Sequence, residues 1–338
     1  MSNSIEKDII KQFGSGIMRS GSAVVDSELL VIPVSPSLDV VLGGGIPEGS
    51  FITFTGQPKC GKTTTALHFA AKCQRKECSG ELCPEGRHVY FFNIEGRLKK
   101  RDLEGIPELD LDRFHVIGSE PGRILTAENF LSIAEKTINE VPGSVVILDS
   151  YSALCTEAEI TSSMDKMQRA DGAKLLAKFC RKIANVVPVN RNLVIGITHL
   201  MGNPTGYGAE FKEKSGQAVA YQVDVKLRAK RFSPWEIQDT QIGQKIDWQI
   251  VTSALGPPGG KITSYLRYGE GIDEETELVI LGSDLGLINK AGAWFKFEFV
   301  EGDDKPKFQG AEKCRIELCK NPDTKKLLIK SINDMLGI

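Results

Sequence analysis

FITFTGQPKCGKTTTALHFAAKC, residues 51–73, is the stretch on which the fold turns. A β-prone run, FITFT (51–55), leads into Gly56-Gln57-Pro58-Lys59-Cys60-Gly61-Lys62-Thr63, and a helix is predicted from Lys62 through Thr64 and beyond. This is the GxxxxGK[ST] phosphate-loop pattern in the strand–loop–helix setting that it requires. Without that setting the pattern is only a Gly-rich turn. The glycines are needed because backbone N–H groups must close around phosphate oxygens at the positive end of a helix dipole. Lys62 is then expected to reach the β/γ-phosphates of ATP, and Thr63 a magnesium ion.

Outward from this loop, short β-rich runs alternate with helical stretches. VYFFNI (89–94), FHVIG (114–118), VVILD (145–149), LVIGIT (193–198) and VDVKLRA (223–229) read as strands, with helices near 127–140 and 171–187. Such alternation predicts an α/β fold with a mainly parallel central sheet covered on both faces. Residues 241–268 read as closing strands around the turn GPPGG (256–260). Three regions follow: an N-terminal appendage (1–34), the core (35–270) and a small α+β C-terminal subdomain (271–338) built around AWFKF. The appendage comprises a short amphipathic helix, the Gly/Ser-rich FGSGIMRSGSAVV and the apolar run LLVIPV.

Bulk properties exclude several classes. With 338 residues, 41% apolar and 25% charged, the chain can bury a sizeable core and is neither disordered nor fibrous. No stretch approaches the ~20 apolar residues of a membrane span, and MSNSIEKDIIKQF lacks the apolar centre of a secretory signal, so a cytoplasmic address without a membrane partner is expected. Eight cysteines then read as reduced thiols. Cys73, Cys78, Cys83 and His88 recur every fifth residue and could fold around zinc, but structural zinc prefers tighter knuckles. The net charge of −2 does not exclude a polyanionic partner, because local patches decide beyond a screening length of about 8 Å.

Three residues lie at strand ends, where an open α/β sheet collects its chemistry. Asp149 ends VVILD, and beside a phosphate loop its best use is magnesium orientation, the alternative being a helix cap. Glu95 follows VYFFNI and is either the group that positions a water against the γ-phosphate or a solvated surface acid. His199, after LVIGIT, is either structural or a sensor of the γ-phosphate.

Two long polar stretches lie between core elements: EAEITSSMDKMQRADG (157–172) and MGNPTGYGAEFKEKSG (201–216). Loops of this length are usually functional or disordered. Met164 and Met167 could wedge between bases, Arg169 could hold phosphate, and Tyr207 or Phe211 could offer stacking faces; scattered apolar exposure is the ordinary alternative. In the following helix, Leu176, Phe179, Ile183 and Val187 form a core stripe, while Lys174, Lys178, Arg181 and Lys182 form a basic one. That basic stripe is a solvated face or a phosphate-binding one.

These residues resemble the RecA recombinases of bacteria and their phages. The resemblance covers nearly the whole chain, through KQFGSGIMRSG (11–21), SPSLDVVLGGGIPEGSFITFTG (35–56), YGEGID (268–273), LGLINKAGAWF (285–295) and NPDTKKLLIKSINDMLG (321–337). It implies a RecA-like core with an N-terminal oligomerisation arm, and an ATPase that forms a helical homo-oligomeric filament on single-stranded DNA and exchanges strands with a homologous double-stranded DNA. The alternatives are a hydrolysis-poor scaffold filament and a ring-forming regulatory or helicase-type ATPase.

The resemblance makes Asp149 the Walker-B acid, Glu95 the catalytic glutamate and Tyr268 a neighbour of the base. His199 stands where bacterial relatives usually carry Gln, and Lys174 and Arg181 align with DNA-backbone contacts. Two departures stand out. The acid–Ala–Glu–His usual around the catalytic glutamate reads Asn93-Ile94-Glu95-Gly96. Two lysines expected to reach a neighbour's γ-phosphate are replaced by Thr252 and Ala254, leaving Lys261 or a bound monovalent cation as substitutes.

Overall fold

The structure is a computed structural model and describes residues 4–26, 29–163, 171–202, 211–213, 219, 222–303 and 305–338. Two compact units are present, Met1–Leu30 and Val31–Ile338. In the first, a helix Ser4–Phe13 is followed by a short helix Gly21–Val25, whose N-cap Ser20 accepts a hydrogen bond from the Ala23 amide. Ile5, Ile10, Phe13 and Ile17 are exposed. The break between the units falls at Val31 and not at Ser35. Val31 and Ile32 pair antiparallel with Pro47 and Ile46, and Ile32 and Val34 are fully buried, so the end of LLVIPV belongs to the core.

The strand Phe51–Gly56 is buried along its length and lies inside the large sheet, parallel to Leu193–Gly202 on one side and Val225–Ile237 on the other. Beyond Leu193–Gly202 come Val145–Asp149, Val89–Asn93 and Phe114–Ile117, all parallel. The other flank is an antiparallel meander of Val225–Ile237, Thr240–Thr252, Lys261–Arg267 and Gly271–Ile272. The inner strands are unbroken apolar runs because both faces are covered. Helices Ala127–Glu140 and Asp171–Ile183 contribute Phe130, Leu131, Leu176, Phe179 and Ile183 to the core that holds Val146, Leu148 and Val194. Gly196 is needed in its strand because any Cβ there would run into the buried ring of Tyr151.

Three elements differ from expectation for local reasons. The helix after the first polar loop ends at Ile183, and Val187 reaches the same core from a separate short helix, Val186–Val189. Pro188 lacks an amide hydrogen and its ring would strike the carbonyl four residues back, so one continuous helix is excluded. The strand expected over 223–229 runs on to Ile237 and turns through Gln238 and Asp239, both at positive φ (49° and 60°), into its antiparallel partner. A two-residue turn of this kind matches the twist of the strands it joins. Within the stretch expected to be loop, Glu157–Thr161 is helical behind a capping box of Thr156 and Glu159.

The C-terminal region has its own apolar cluster. Helices Glu274–Asp284, Ala311–Lys320 and Pro322–Leu336 pack Leu278, Leu318, Leu328 and Ile332 against Ile288, Phe295 and Phe297 of a three-stranded antiparallel sheet. Charges bind this cluster to the core. Glu274 meets His68 at 3.1 Å, Lys72, and Lys325 at 3.0 Å. Burial pushes the Glu274 carboxyl up, but the His68 hydrogen bond and the two lysines outweigh it and hold the group well below the ordinary range.

Arg87, fully buried, closes the edge of the core opposite the strand ends. Its guanidinium donates to the carbonyls of Cys78 (3.2 Å), Gly143 (2.9 Å) and Arg191 (2.9 Å) and to Glu48 Oε2 (2.7 Å). Removing Arg87 would leave three carbonyls without a donor and Glu48 with only its 3.3 Å pairing to the more exposed Arg191, a loss of about 3–5 kcal/mol for a buried pair. Arg87→Leu is therefore expected to lower unfolding stability by that amount in urea titration. A loss under about 1 kcal/mol, the scale of an exposed ion pair, would contradict this reading of the clasp.

Candidate nucleotide-binding site

The parallel register sets Gly56 opposite His199 and Asn93 opposite Asp149. The phosphate loop, Glu95, Asp149 and His199 therefore emerge together at the C-terminal edge of the sheet, as the strand-end positions predicted. Gly61, at φ 80°, is the N-cap of helix Lys62–Cys73 and offers no side-chain cap. The first-turn amides are thus left to any anion that reaches them. Glycine suits position 61 because the positive φ strains any other residue, and a side chain there would also displace the Cδ1 ends of Ile246 and Leu266.

Pro58, Lys59, Cys60, Gly61, Lys62, Thr63 and Thr64 line a cleft of about 330 Å³ together with Glu95, Asp149 and His199. Lys62 is buried, and its ammonium donates to the carbonyls of Gly56 (3.1 Å) and Gln57 (2.7 Å) and lies 3.6 Å from Cys60 Sγ. Thr63 Oγ1 donates to Asp149 Oδ2 at 2.7 Å. Burial pushes the Asp149 carboxyl above its ordinary value, against the opposing hydrogen bond from Thr63. A hydroxyl and a carboxylate side by side are hard oxygen donors of the kind magnesium takes, so the pair fits that ion. The Asp149–Ser150 peptide is cis.

Glu95 is not a solvated surface acid. Its Oε1 accepts hydrogen bonds from Ser150 Oγ at 2.6 Å and His199 Nε2 at 2.7 Å, and its Oε2 lies 3.5 Å from Arg97. The His199 hydrogen bond, against burial and with help from Ser150 and Arg97, holds the carboxyl down to about 2. With Nε2 carrying the proton, His199 links Glu95 to its own strand, and its backbone amide donates to Ser152 Oγ at 2.9 Å. That strand runs on for three residues after His199, to Gly202, and pairs antiparallel with Phe211–Glu213 across the polar segment between them.

Other expected positions are more dispersed. Tyr268 is 59% exposed, its hydroxyl accepting from Gln241 Nε2 at 2.8 Å, and it does not line the cleft walls. Lys261 pairs with Gln249, five residues along the strand from Leu266, or about 17 Å at ~3.4 Å per residue. It is not among the residues that line the cleft. Lys174, Arg181 and Lys182 are exposed on helix Asp171–Ile183, and Lys182 is ion-paired with Glu135. Met164, Met167, Arg169 and Tyr207 lie outside the described residues, as does the side chain of Phe211.

The cysteine series does not converge. Cys73 is buried in its helix, Cys83 Sγ donates to the Pro142 carbonyl at 3.6 Å, and His88 stacks on His115. All eight cysteines are free thiols, and no group of three or more His, Cys, Asp or Glu suited to a metal occurs among the described residues. Sequence reasoning missed Ser152, Arg97, Arg101 and Gln244 as parts of the site. Arg97 had one available signal, its place two residues beyond a candidate catalytic acid.

No helix among the described residues is long and apolar enough to cross a membrane. Residues 1–273 match the model of the RecA N-terminal domain. Protein RecA of Campylobacter jejuni subsp. doylei is 29% identical over 336 residues, covering 98% of this chain and 92% of the relative. Protein RecA of Nocardioides sp. is 31% identical over 98% of this chain and 90% of its own length, and that of Geobacter sulfurreducens 30% over 98% and 93%. A family model spanning four-fifths of the chain, with relatives aligned nearly end to end, leaves one assignment: the chain belongs to the RecA family.

Proposed function

We propose that this protein is an ATP-dependent DNA recombinase that polymerises on single-stranded DNA, pairs it with a homologous duplex and uses ATP hydrolysis to release the product. The observation that carries the reading is the contact of Glu95 with His199 beside Lys62, Thr63 and Asp149. It joins a hydrolytic constellation to the strand that enters the second polar segment. Protomer contacts are assigned to residues 1–30, whose Ile5, Ile10 and Phe13 are exposed, within the arm that the sequence predicts over residues 1–34. Residues 271–338 are assigned as the C-terminal subdomain.

In this reading Lys62 exchanges its loop carbonyls for the β/γ-phosphates, and Thr63 with Asp149 holds magnesium, which neutralises phosphate charge when bound. Glu95 is a carboxylate throughout the working pH range and orients the attacking water. Its proton acceptance is weak, so positioning is its main contribution. His199 senses the γ-phosphate through Glu95 and passes its presence to the segment beyond Gly202. Lys174 and Arg181 hold the DNA backbone. Tyr268 would approach the base only by turning from Gln241.

Turnover with and without single-stranded DNA, run beside strand exchange into a homologous duplex, tests the reading as a whole. DNA-stimulated turnover with exchange is expected, and neither activity in a filament-forming preparation would contradict it. Lys62→Ala is expected to reduce turnover by ~10²-fold or more with an unchanged circular dichroism spectrum. Wild-type turnover in that variant would remove the nucleotide assignment. Lys174→Ala combined with Arg181→Ala is expected to weaken single-strand affinity and flatten its salt dependence by roughly 0.7 log unit per lost contact. An unchanged salt slope would show that the stripe is only solvated.

A further inference from the structure

A phosphoryl group in transfer carries charge that an enclosed site must meet with fixed cations. The described cations lining the cleft are Lys59, Lys62, Arg97 and Arg101. Lys62 sits among its loop carbonyls, Lys59 is on the exposed outer turn of the loop, and Arg101 lies 3.8 Å from Asp102. Arg97 differs from the others. It touches Glu95, and it also borders the adjoining hollow formed with Ser152, His199 and Leu200.

Its mount is fixed while its side chain is not. Asn93 Oδ1 accepts from the amides of Arg97 (3.0 Å) and Leu98 (3.3 Å), and Gly96 takes a positive φ of 66° to close the turn. The Arg97 side chain is 82% exposed and its ion pair with Glu95 is 3.5 Å long, an exposed contact that is readily exchanged. Glu95 Oε1 already accepts two hydrogen bonds, from Ser150 and His199. The other oxygen, Oε2, is the one that can receive a water, and Arg97 occupies it.

We propose that Arg97 is a catalytic residue acting within its own protomer: its guanidinium moves from Glu95 Oε2 to the γ-phosphate, supplying the missing cation and freeing that oxygen for the attacking water. This rests on the nucleotide reading above. The water oxygen forms a bond to the γ-phosphorus as the bond from that phosphorus to the β,γ-bridging oxygen breaks, its electron pair remaining on ADP. One water proton stays on the inorganic phosphate and the other passes to solvent. Arg97 bonds to the peripheral γ-oxygens and, with its fork of donors, meets two of them at once. The positions read as Thr252 and Ala254 then need no cation, and Lys261 need not cross an interface.

The test compares the full-length wild type with Arg97→Ala, Arg97→Lys, Lys100→Ala and Lys261→Ala on single-stranded DNA. Turnover is measured alongside binding of ADP alone and of ADP with aluminium fluoride, which mimics the planar phosphoryl group. Arg97→Ala is expected to lower kcat by ~10³-fold, to leave ADP affinity within about 3-fold, and to lose the tightening that aluminium fluoride gives the wild type. Arg97→Lys should recover part of both, and Lys100→Ala, which removes a charge paired with Glu104 on the same turn, should change neither. Wild-type kcat and wild-type tightening in Arg97→Ala overturn the proposal, as does a comparable loss in Lys261→Ala alone, which would place the cation in trans. Failure of the wild type to bind ADP at all would instead overturn the nucleotide reading on which the proposal stands.

Discussion

Parallel pairing of four strands is the constraint on which the site depends. Because Phe51–Gly56 runs beside Leu193–Gly202, and Val145–Asp149 beside Val89–Asn93, the chain leaves every one of these strands at the same edge. Both faces of these strands are covered, so packing sets the register, as at Gly196, where only a missing side chain leaves room for the ring of Tyr151. Residues widely separated in sequence, such as Glu95 and His199, then meet at 2.7 Å without any local motif to join them. The buried Arg87–Glu48 pair holds the other end of the same layer through the carbonyls of Gly143 and Arg191.

The same geometry gives nucleotide chemistry a mechanical outlet. Glu95 receives Ser150 and His199 on one oxygen, Ser150 follows the Asp149 that meets Thr63, and His199 sits within a strand that continues to Gly202. In the proposed function, a change at the γ-phosphate would reach the second polar segment through one side-chain contact and three residues of strand. Ser152, accepting from the His199 amide, ties the end of the Asp149 strand to the same point. Coupling between nucleotide and DNA needs a shared element whose equilibrium both ligands bias, and this contact is the candidate for it.

Much of this was legible in the linear chain because the relevant signals are local. The phosphate loop carries its own strand, glycines and helix start, and Asp149 and His199 end apolar runs of strand length. What escaped has physical causes. The turn at Gln238 and Asp239 lacks the Asn-Gly or Asp-Gly signal that marks such hairpins, so nothing local announces that the strand continues to Ile237. Val31 and Ile32 carry no local sign of belonging to the core, because their partners, Pro47 and Ile46, lie beyond an intervening helix. Arg97 has no periodicity or motif of its own, and its place follows from the Asn93 clasp and from which oxygen of Glu95 is already taken. Pro188, by contrast, is a helix breaker visible in the sequence itself.

The central claim is that the γ-phosphate and DNA are linked through the Glu95–His199 contact. It is tested most directly by the affinity of a fluorescent single-stranded oligonucleotide measured by anisotropy, once with ADP and once with a non-hydrolysable ATP analogue. The account predicts binding tighter by roughly 5–150-fold with the triphosphate, a difference erased in His199→Ala. Equal affinities with the two nucleotides in the wild-type protein would contradict it.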